Sequence, residues 1–223
     1  MKMDIYASRD ALMAELAAVI ASELRTAIAE RGRASLSVPG GTTPGPVFDA
    51  LSHADLDWSR VWVVLNDERW VGEDSPRSNT RLLRERLFQG LASAAHLVPL
   101  YAPADRPEEK LDALAEGLIT HLPIDVLLLG MGADMHTASL FPGADRLADG
   151  MAPDAPLLLT MRAEAAGEPR ITLTAPVLTG ARVTHILITG QDKRAAIARA
   201  ATLSPLEAPV ALVLPQATVH WAE

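Results

Sequence analysis

The strongest constraint on the fold lies in Val126 to Leu129, a short apolar run with no polar alternation. Such a run reads as a central strand of a parallel sheet, covered on both faces. It stops at Gly130-Met131-Gly132, and Asp134, His136, Thr137 and Ser139 follow at once. Open parallel sheets bind ligands in the crevice beyond the carboxyl ends of their strands. A histidine delivered there on a glycine-punctuated turn can exchange a proton near neutral pH. Taken alone, the pattern also fits an ordinary βα turn, because no third glycine completes a GxGxxG dinucleotide fingerprint.

The same strand–loop–helix order recurs along the chain. Leu12, Leu16, Val19, Ile20 and Leu24 stand at helical spacing and predict a helix over 9–31, ended by Gly32. Ala34 to Val38 reads as a strand that runs into Pro39-Gly40-Gly41-Thr42-Thr43-Pro44-Gly45, with helix resuming from Pro46 to Leu51. A strand, a Gly/Thr loop and a helix N-terminus can hold an anion through free amides and the positive end of the dipole. No lysine follows the glycines, so this is not a Walker loop, and a plain tight turn remains the alternative reading.

Trp58 to Leu65 predicts a second strand ending in Asn66-Asp67-Glu68-Arg69-Trp70, with Trp62 and Trp70 flanking the turn as packing residues. Two acids and an arginine at the end of a buried strand point to a site, although an Asp–Arg pair could simply close the turn. Ser78 or Asn79 caps a predicted helix through Leu82, Leu83, Leu87 and Leu91. Further strands are predicted at 96–100, 157–161 and 183–189, and 170–173 reads as a strand or a turn. A helix starting at 105–107 carries Leu111, Leu114 and Leu118, and shorter helices cover 175–179 and 197–201. Segments 210–214 and 219–221 finish the chain. Alternating strands and helices predict an α/β fold, a mostly parallel sheet with helices on both faces, in one domain over 1–223.

Composition narrows the function classes. A formal charge of −8 with no basic tract argues against broad nucleic-acid binding. The absence of cysteine excludes disulfides and thiolate chemistry. Ala11 to Ala21 is interrupted by Glu15 and reads as an amphipathic helix, not a signal peptide. No stretch reaches membrane-spanning length without charge, so a cytoplasmic protein is expected. His53, His96, His121, His185 and His220 lack metal-ligand spacing and are expected as surface or capping residues; no metal or cofactor is expected.

Several blocks in order, PGGTTP at Pro39–Pro44, NDERWV at Asn66–Val71, SN at Ser78–Asn79, GMGADMHTASLFPG at Gly130–Gly143, RITLT at Arg170–Thr174 and TGQDK at Thr189–Lys193, resemble the 6-phosphogluconolactonases. The wider superfamily includes glucosamine-6-phosphate deaminases, and the resemblance implies a Rossmann-like three-layer α/β/α fold. Deaminases of that superfamily carry a glutamate where this chain has Phe141, which cannot exchange a proton. The family block also reads Asp-Gly-His where this chain has Asp134-Met135-His136. Met135 is expected to keep an ordinary backbone conformation, with its side chain packed beside the pocket.

The resemblance implies hydrolysis of 6-phospho-D-glucono-1,5-lactone to 6-phospho-D-gluconate, the second step of the oxidative pentose phosphate pathway. His136 is the implied general base on water and then the acid toward the ring oxygen. Asp67 or Asp134 would support it, Asp67 being favoured for ligand contact and Asp134 for loop structure. Arg69 or glycine-loop amides would hold the oxyanion. Gly40, Gly41, Thr42 and Thr43 would cradle the phosphate, with Arg170 and Lys193 as clamps and Asn79 and Gly132 completing the binding set. From spacing alone, Arg170 and Lys193 read equally as solvated surface residues. The implied partner is a small phosphosugar lactone, with no nucleic acid or membrane, and the protein a monomer or weak homodimer. The rival readings are a deaminase or sugar-phosphate isomerase, and a non-catalytic sugar-phosphate sensor.

Overall fold

A computed structural model describes residues 1–223, Ala165 through its backbone alone. The strands are β1 Lys2–Ile5, β2 Ala34–Val38, β3 Val61–Leu65, β4 Asp67–Arg69, β5 His96–Val98, β6 Val126–Gly130, β7 Leu158–Met161, β8 Arg170–Leu173, β9 Val183–Thr189 and β10 Thr218–Ala222. The helices are α1 Arg9–Arg31, α2 Gly45–Ser52, α3 Asn79–Arg86, α4 Leu111–Ile119, α5 Leu147–Met151, α6 Ala175–Thr179 and α7 Gln191–Ala200. A seven-stranded sheet runs β1-β10-β9-β6-β2-β3-β5, and each neighbouring pair in it is parallel. The β6 strand sits at its centre between β9 and β2, with Val126, Leu127, Leu128 and Leu129 all buried, as an unalternating apolar strand requires.

The long helix α1 shows how local chemistry sets an element's bounds. Ser8 Oγ accepts from Ala11 N at 3.1 Å, and Gly32, at φ 76°, donates its N–H to Ile28 O at 2.8 Å. Leu12, Leu16, Ile20 and Leu24 between these caps are fully buried on one face. Each such side chain stabilises the fold by about 1.5–3 kcal/mol. Among the described residues no helix is long and apolar enough to cross a membrane.

Several expected elements are corrected. Trp58–Arg60 is a 3-10 turn, since the Trp58 indole donates to Ala54 O at 2.9 Å, and the strand begins only at Val61. Helix α3 ends at Arg86, and Leu91 lies beyond it in a 3-10 turn, 55% exposed. Pro107–Glu109 is a 3-10 turn ahead of α4, and Pro209–Leu212 another ahead of β10. The strand predicted at 157–161 and the strand or turn at 170–173 are the strands β7 and β8, but in a second, antiparallel sheet ordered β4-β8-β7. There the turn after β3 becomes a strand: Leu173 N donates to Asn66 O at 2.9 Å, and Asp67–Arg69 pairs along β8. Arg69 and Arg170 are thereby register partners, an adjacency no local pattern announces.

His185 and His220, expected at the surface, are 3% and 2% exposed. The Tyr6 hydroxyl meets His220 Nδ1 at 2.7 Å, His220 Nε2 meets His185 Nδ1 at 2.9 Å, and His185 Nε2 meets Glu23 Oε2 at 2.8 Å. Glu23 as a carboxylate can only accept, so with both rings neutral each bond in the row runs from Tyr6 toward Glu23. Burial and the neighbouring His185 hold His220 down to about 4, with Asp4 pulling weakly the other way. The unfolded chain therefore binds a proton here between its own value near 6.5 and about 4 that the native chain refuses. Stability should be full above pH 6.5 and fall toward pH 4, by on the order of 3 kcal/mol from this group. Urea unfolding across that window should give a flatter pH dependence for His220→Asn than for the natural chain; identical slopes would remove His220 as the cause.

Candidate active site

The carboxyl ends of β2, β3, β6 and β9 open onto one cavity of about 240 Å³. Its centre is the turn leaving β6. Gly132 N donates to His136 O at 2.9 Å, Met135 N to Gly132 O at 3.1 Å, and Thr137 Oγ1 to Gly130 O at 2.9 Å. These bonds fold His136 back over Gly132. A Cβ on Gly132 would lie 2.0 Å from His136 Nδ1 and 2.3 Å from Asp134 Oδ1, so only glycine leaves room for the pair.

His136 Nδ1 sits 2.6 Å from Asp134 Oδ1, which also accepts from the His136 amide at 3.2 Å. Burial pushes the Asp134 carboxyl up, but the charge and hydrogen bonds of His136 outweigh it, and the net direction is down. An ionised carboxylate only accepts, so in the neutral ring Nδ1 is the protonated nitrogen and Nε2 the basic one, the tautomer a general base needs. The ring packs on Phe141 with centroids 4.3 Å apart, and the Arg170 guanidinium lies over the same Phe141 ring, 5.5 Å from its centroid. Asp134 therefore supports the imidazole directly, beyond the loop-structural part favoured for it.

Met135 departs from expectation. It adopts φ 68°, the left-handed region where glycine is usual, and Ala138 follows at φ 48°. Met135 is held there because its carbonyl accepts from Val210 N at 3.1 Å and its side chain, 6% exposed, is part of the core. Core packing outweighs a backbone cost of about 1–2 kcal/mol.

On the β3 side, Asp67 Oδ2 accepts from the Ser139 hydroxyl and, at 3.4 Å, from Arg170 Nη1. Thr172 Oγ1 accepts from Ser139 N at 3.1 Å, tying the His136 loop to β8. Arg69 Nη1 donates to Arg77 O at 2.8 Å, while its Nε stands 3.9 Å from Glu168 without an aligned hydrogen bond. The Nε donors of Arg69 and Arg170 are buried and unpartnered, a state that costs about 1–3 kcal/mol each until an acceptor arrives. Lys193, in the first turn of α7, donates to Met131 O at 2.7 Å; burial moves it down, partly offset by Asp134.

Glu68 has a role the sequence reading missed. Fully buried, it accepts from Asn79 N at 2.9 Å, Thr80 N at 2.7 Å, Thr80 Oγ1 at 2.7 Å and Arg69 N at 2.8 Å. It thus satisfies the open amides of α3, and burial raises it although those bonds oppose the rise. Asn79, so placed, donates to Asp67 O at 3.0 Å and fills the space a Cβ on Gly40 would need, 2.0 Å from its Oδ1.

Of the residues singled out from sequence, His136, Asp67, Arg69, Asn79, Gly132, Arg170 and Lys193 line the cavity, as do Gly40, Gly41 and Thr43. Thr42 does not: it is exposed, and its carbonyl accepts the turn-closing Gly45 amide at 3.2 Å. Asp134 is also outside the lining and reaches the cavity only through His136. The wall from Leu187 to Thr189 was not anticipated; its one signal was that β9 ends in a helix-opening glycine, as β6 ends in its turn.

Fold and site together define an α/β protein whose strand-end pocket sets an imidazole–carboxylate pair beside cationic groups. The sequence profile described as glucosamine-6-phosphate isomerases/6-phosphogluconolactonase matches residues 7–221, and the chain belongs to that family. It is 42% identical to a 6-phosphogluconolactonase of Rhizobium meliloti (strain 1021), over 99% of this chain and 98% of the relative. It is 44% identical to a 6-phosphogluconolactonase of Pseudomonas aeruginosa, over 92% of this chain and 88% of the relative. The crystal structure of a 6-phosphogluconolactonase from Shewanella baltica OS155 superposes with a TM-score of 0.96 at 36% identity, covering 100% of this chain and 98% of that one.

The two opposing effects at Met135 can be separated. Met135→Gly removes the torsional cost of about 1–2 kcal/mol but also a buried side chain worth about 2–5 kcal/mol. The variant should therefore be net destabilised by roughly 1–3 kcal/mol in chemical unfolding; a gain in stability would show that strain, and not packing, dominates this turn.

Proposed function

We propose that this chain hydrolyses 6-phospho-D-glucono-1,5-lactone to 6-phospho-D-gluconate. The observation that carries the reading is the Asp134–His136 pair at 2.6 Å, which presents a basic imidazole in a cavity lined by Arg69, Arg170 and Lys193. Water attacks the lactone carbonyl carbon and gives its proton to His136 Nε2. The tetrahedral oxyanion then collapses, the bond from that carbon to the ring oxygen breaks, and the same proton passes to the departing oxygen as it becomes a hydroxyl. Asp134 keeps Nδ1 protonated and stabilises the imidazolium formed between the two transfers.

In this reading the unpartnered Arg69 Nε is a donor for the oxyanion, already oriented and desolvated. The phosphate is assigned to Gly41 and Thr43 of the glycine bend, with Arg170 and Lys193 as its charged partners. Asp67 holds Arg170 in place and contributes to the ligand wall. Phe141, beside the His136 ring where a deaminase would carry its glutamate, offers no second proton carrier, which favours the lactonase over the deaminase reading. The assignment carries with it one domain over 1–223, acting in the cytoplasm as a monomer or weak homodimer.

His136→Asn should lower turnover by about 10²–10⁴-fold with the fold intact. The measurement is the decay of lactone generated in situ, corrected for spontaneous hydrolysis; undiminished acceleration in the variant removes His136 from the chemistry. Lys193→Ala should weaken use of the phosphorylated lactone by roughly tenfold or more, about 1.4 kcal/mol, with little change toward unphosphorylated gluconolactone. Equal losses on both substrates would say that Lys193 does not meet the phosphate.

A further inference from the structure

A second cavity, of about 250 Å³, lies at the opposite end of the sheet. Ala34 at the start of β2 lines it, whereas Pro39 and Gly40 beyond the end of that strand line the first. The two are thus separated by the length of a five-residue strand, roughly 16 Å. Arg31, Arg33 and Arg182 converge on it with His121, Trp62 and the buried Asp125.

Ion pairing does not exhaust these cations. Asp125 Oδ1 takes Arg31 at 3.0 Å and Arg182 at 3.3 Å, while Oδ2 takes Ser35 N at 2.8 Å and Ser35 Oγ at 3.2 Å. The carboxylate is saturated and serves as an anchor that fixes two guanidiniums side by side. Glu30 adds a second carboxylate, on Arg31 at 2.6 Å. Arg33 donates only to the Thr120 carbonyl, at 2.6 Å, and has no acidic partner among the described residues. Three guanidiniums therefore face two carboxylates, in a chain whose formal charge is −8. The surplus one, Arg33, is exposed and lines a cavity as large as the catalytic one. His121 reports the same local field: burial, then Arg33 and His96, hold it below its usual value.

We propose that this cavity is a second binding site, for a small phosphorylated anion, with Arg33 and Arg182 as its donors and Arg31 fixed beside them by Asp125. Guanidinium forks match phosphate oxygens in pairs, and Arg182, held beside Arg31 on one Asp125 oxygen, loses little freedom on binding. The Trp62 ring, stacked on His96 at 4.8 Å and on His121 at 5.5 Å, forms the wall beside them and supplies a spectroscopic reporter. The inference does not depend on the reaction assigned to the first cavity.

The test titrates inorganic pyrophosphate, at constant ionic strength, into the full chain, its Arg33→Ser/Arg182→Ser variant and Lys193→Ala. Heat is followed by calorimetry, and the Trp62 indole and His121 ring by NMR. Saturable binding is expected that moves both the Trp62 and His121 signals, weakens at least tenfold in the arginine variant and survives in Lys193→Ala. Both arginines are exposed, so the variant should fold; if it does not, Arg33→Ser alone, which frees only a carbonyl, should still weaken binding several-fold. No saturation, or binding lost in Lys193→Ala and kept in the arginine variant, would overturn the proposal.

Discussion

The hydrogen bond between His136 and Asp134 sets the terms for everything around it. To make it, the chain must leave β6, reverse within a few residues and lay an imidazole flat on its own backbone. Gly132 is the surface it lies on, and any Cβ there would occupy the space of both partners. The same reversal forces Met135 and Ala138 into left-handed torsions that glycine would adopt without cost. Local strain is accepted because hydrogen bonds hold the loop at its other points, to Gly130 within the turn and to Val210 and Thr172 from distant segments.

The small antiparallel sheet has a comparable part in placing charge. Asp67 and Glu68 are both buried, and each is matched differently. Glu68 is spent on the amides of α3 and has no group left to offer a ligand. Asp67 is tied to Ser139 and Arg170, which links β3, the β6 loop and β8 in one polar junction. Because β4 and β8 pair in register, Arg69 and Arg170 rise beside one another from adjacent strands. Their Nε groups, buried and without a hydrogen-bond acceptor, leave two donors beside the cavity.

The parallel sheet itself divides the molecule into two ends of different character. At the carboxyl ends, glycine turns let backbone and side chains crowd around a cavity. At the amino ends, a saturated carboxylate gathers arginines instead. Between them runs an apolar core in which the polar row from Tyr6 to Glu23 is kept because every member has a partner.

Much of this was legible in the residues. Helix α1, strands β2, β8 and β9 and helix α6 occur at the bounds their periodicity and punctuation indicated, because caps, glycines and apolar spacing act over a few residues. The parallel α/β architecture follows from the same local signals. His136, Arg69, Arg170 and Lys193 could be named because each directly follows a recognisable strand or sits within a block shared with the family. What local chemistry could not decide were relations between distant segments. The burial of His185 and His220 depends on β9 lying against β10, and the turn of Trp58 on where its indole finds an acceptor. The splitting of β4, β7 and β8 into their own sheet and the torsion of Met135 were likewise settled only by tertiary structure. A backbone angle or a buried hydrogen bond is chosen by what packs against it, and that neighbour is usually far away along the chain.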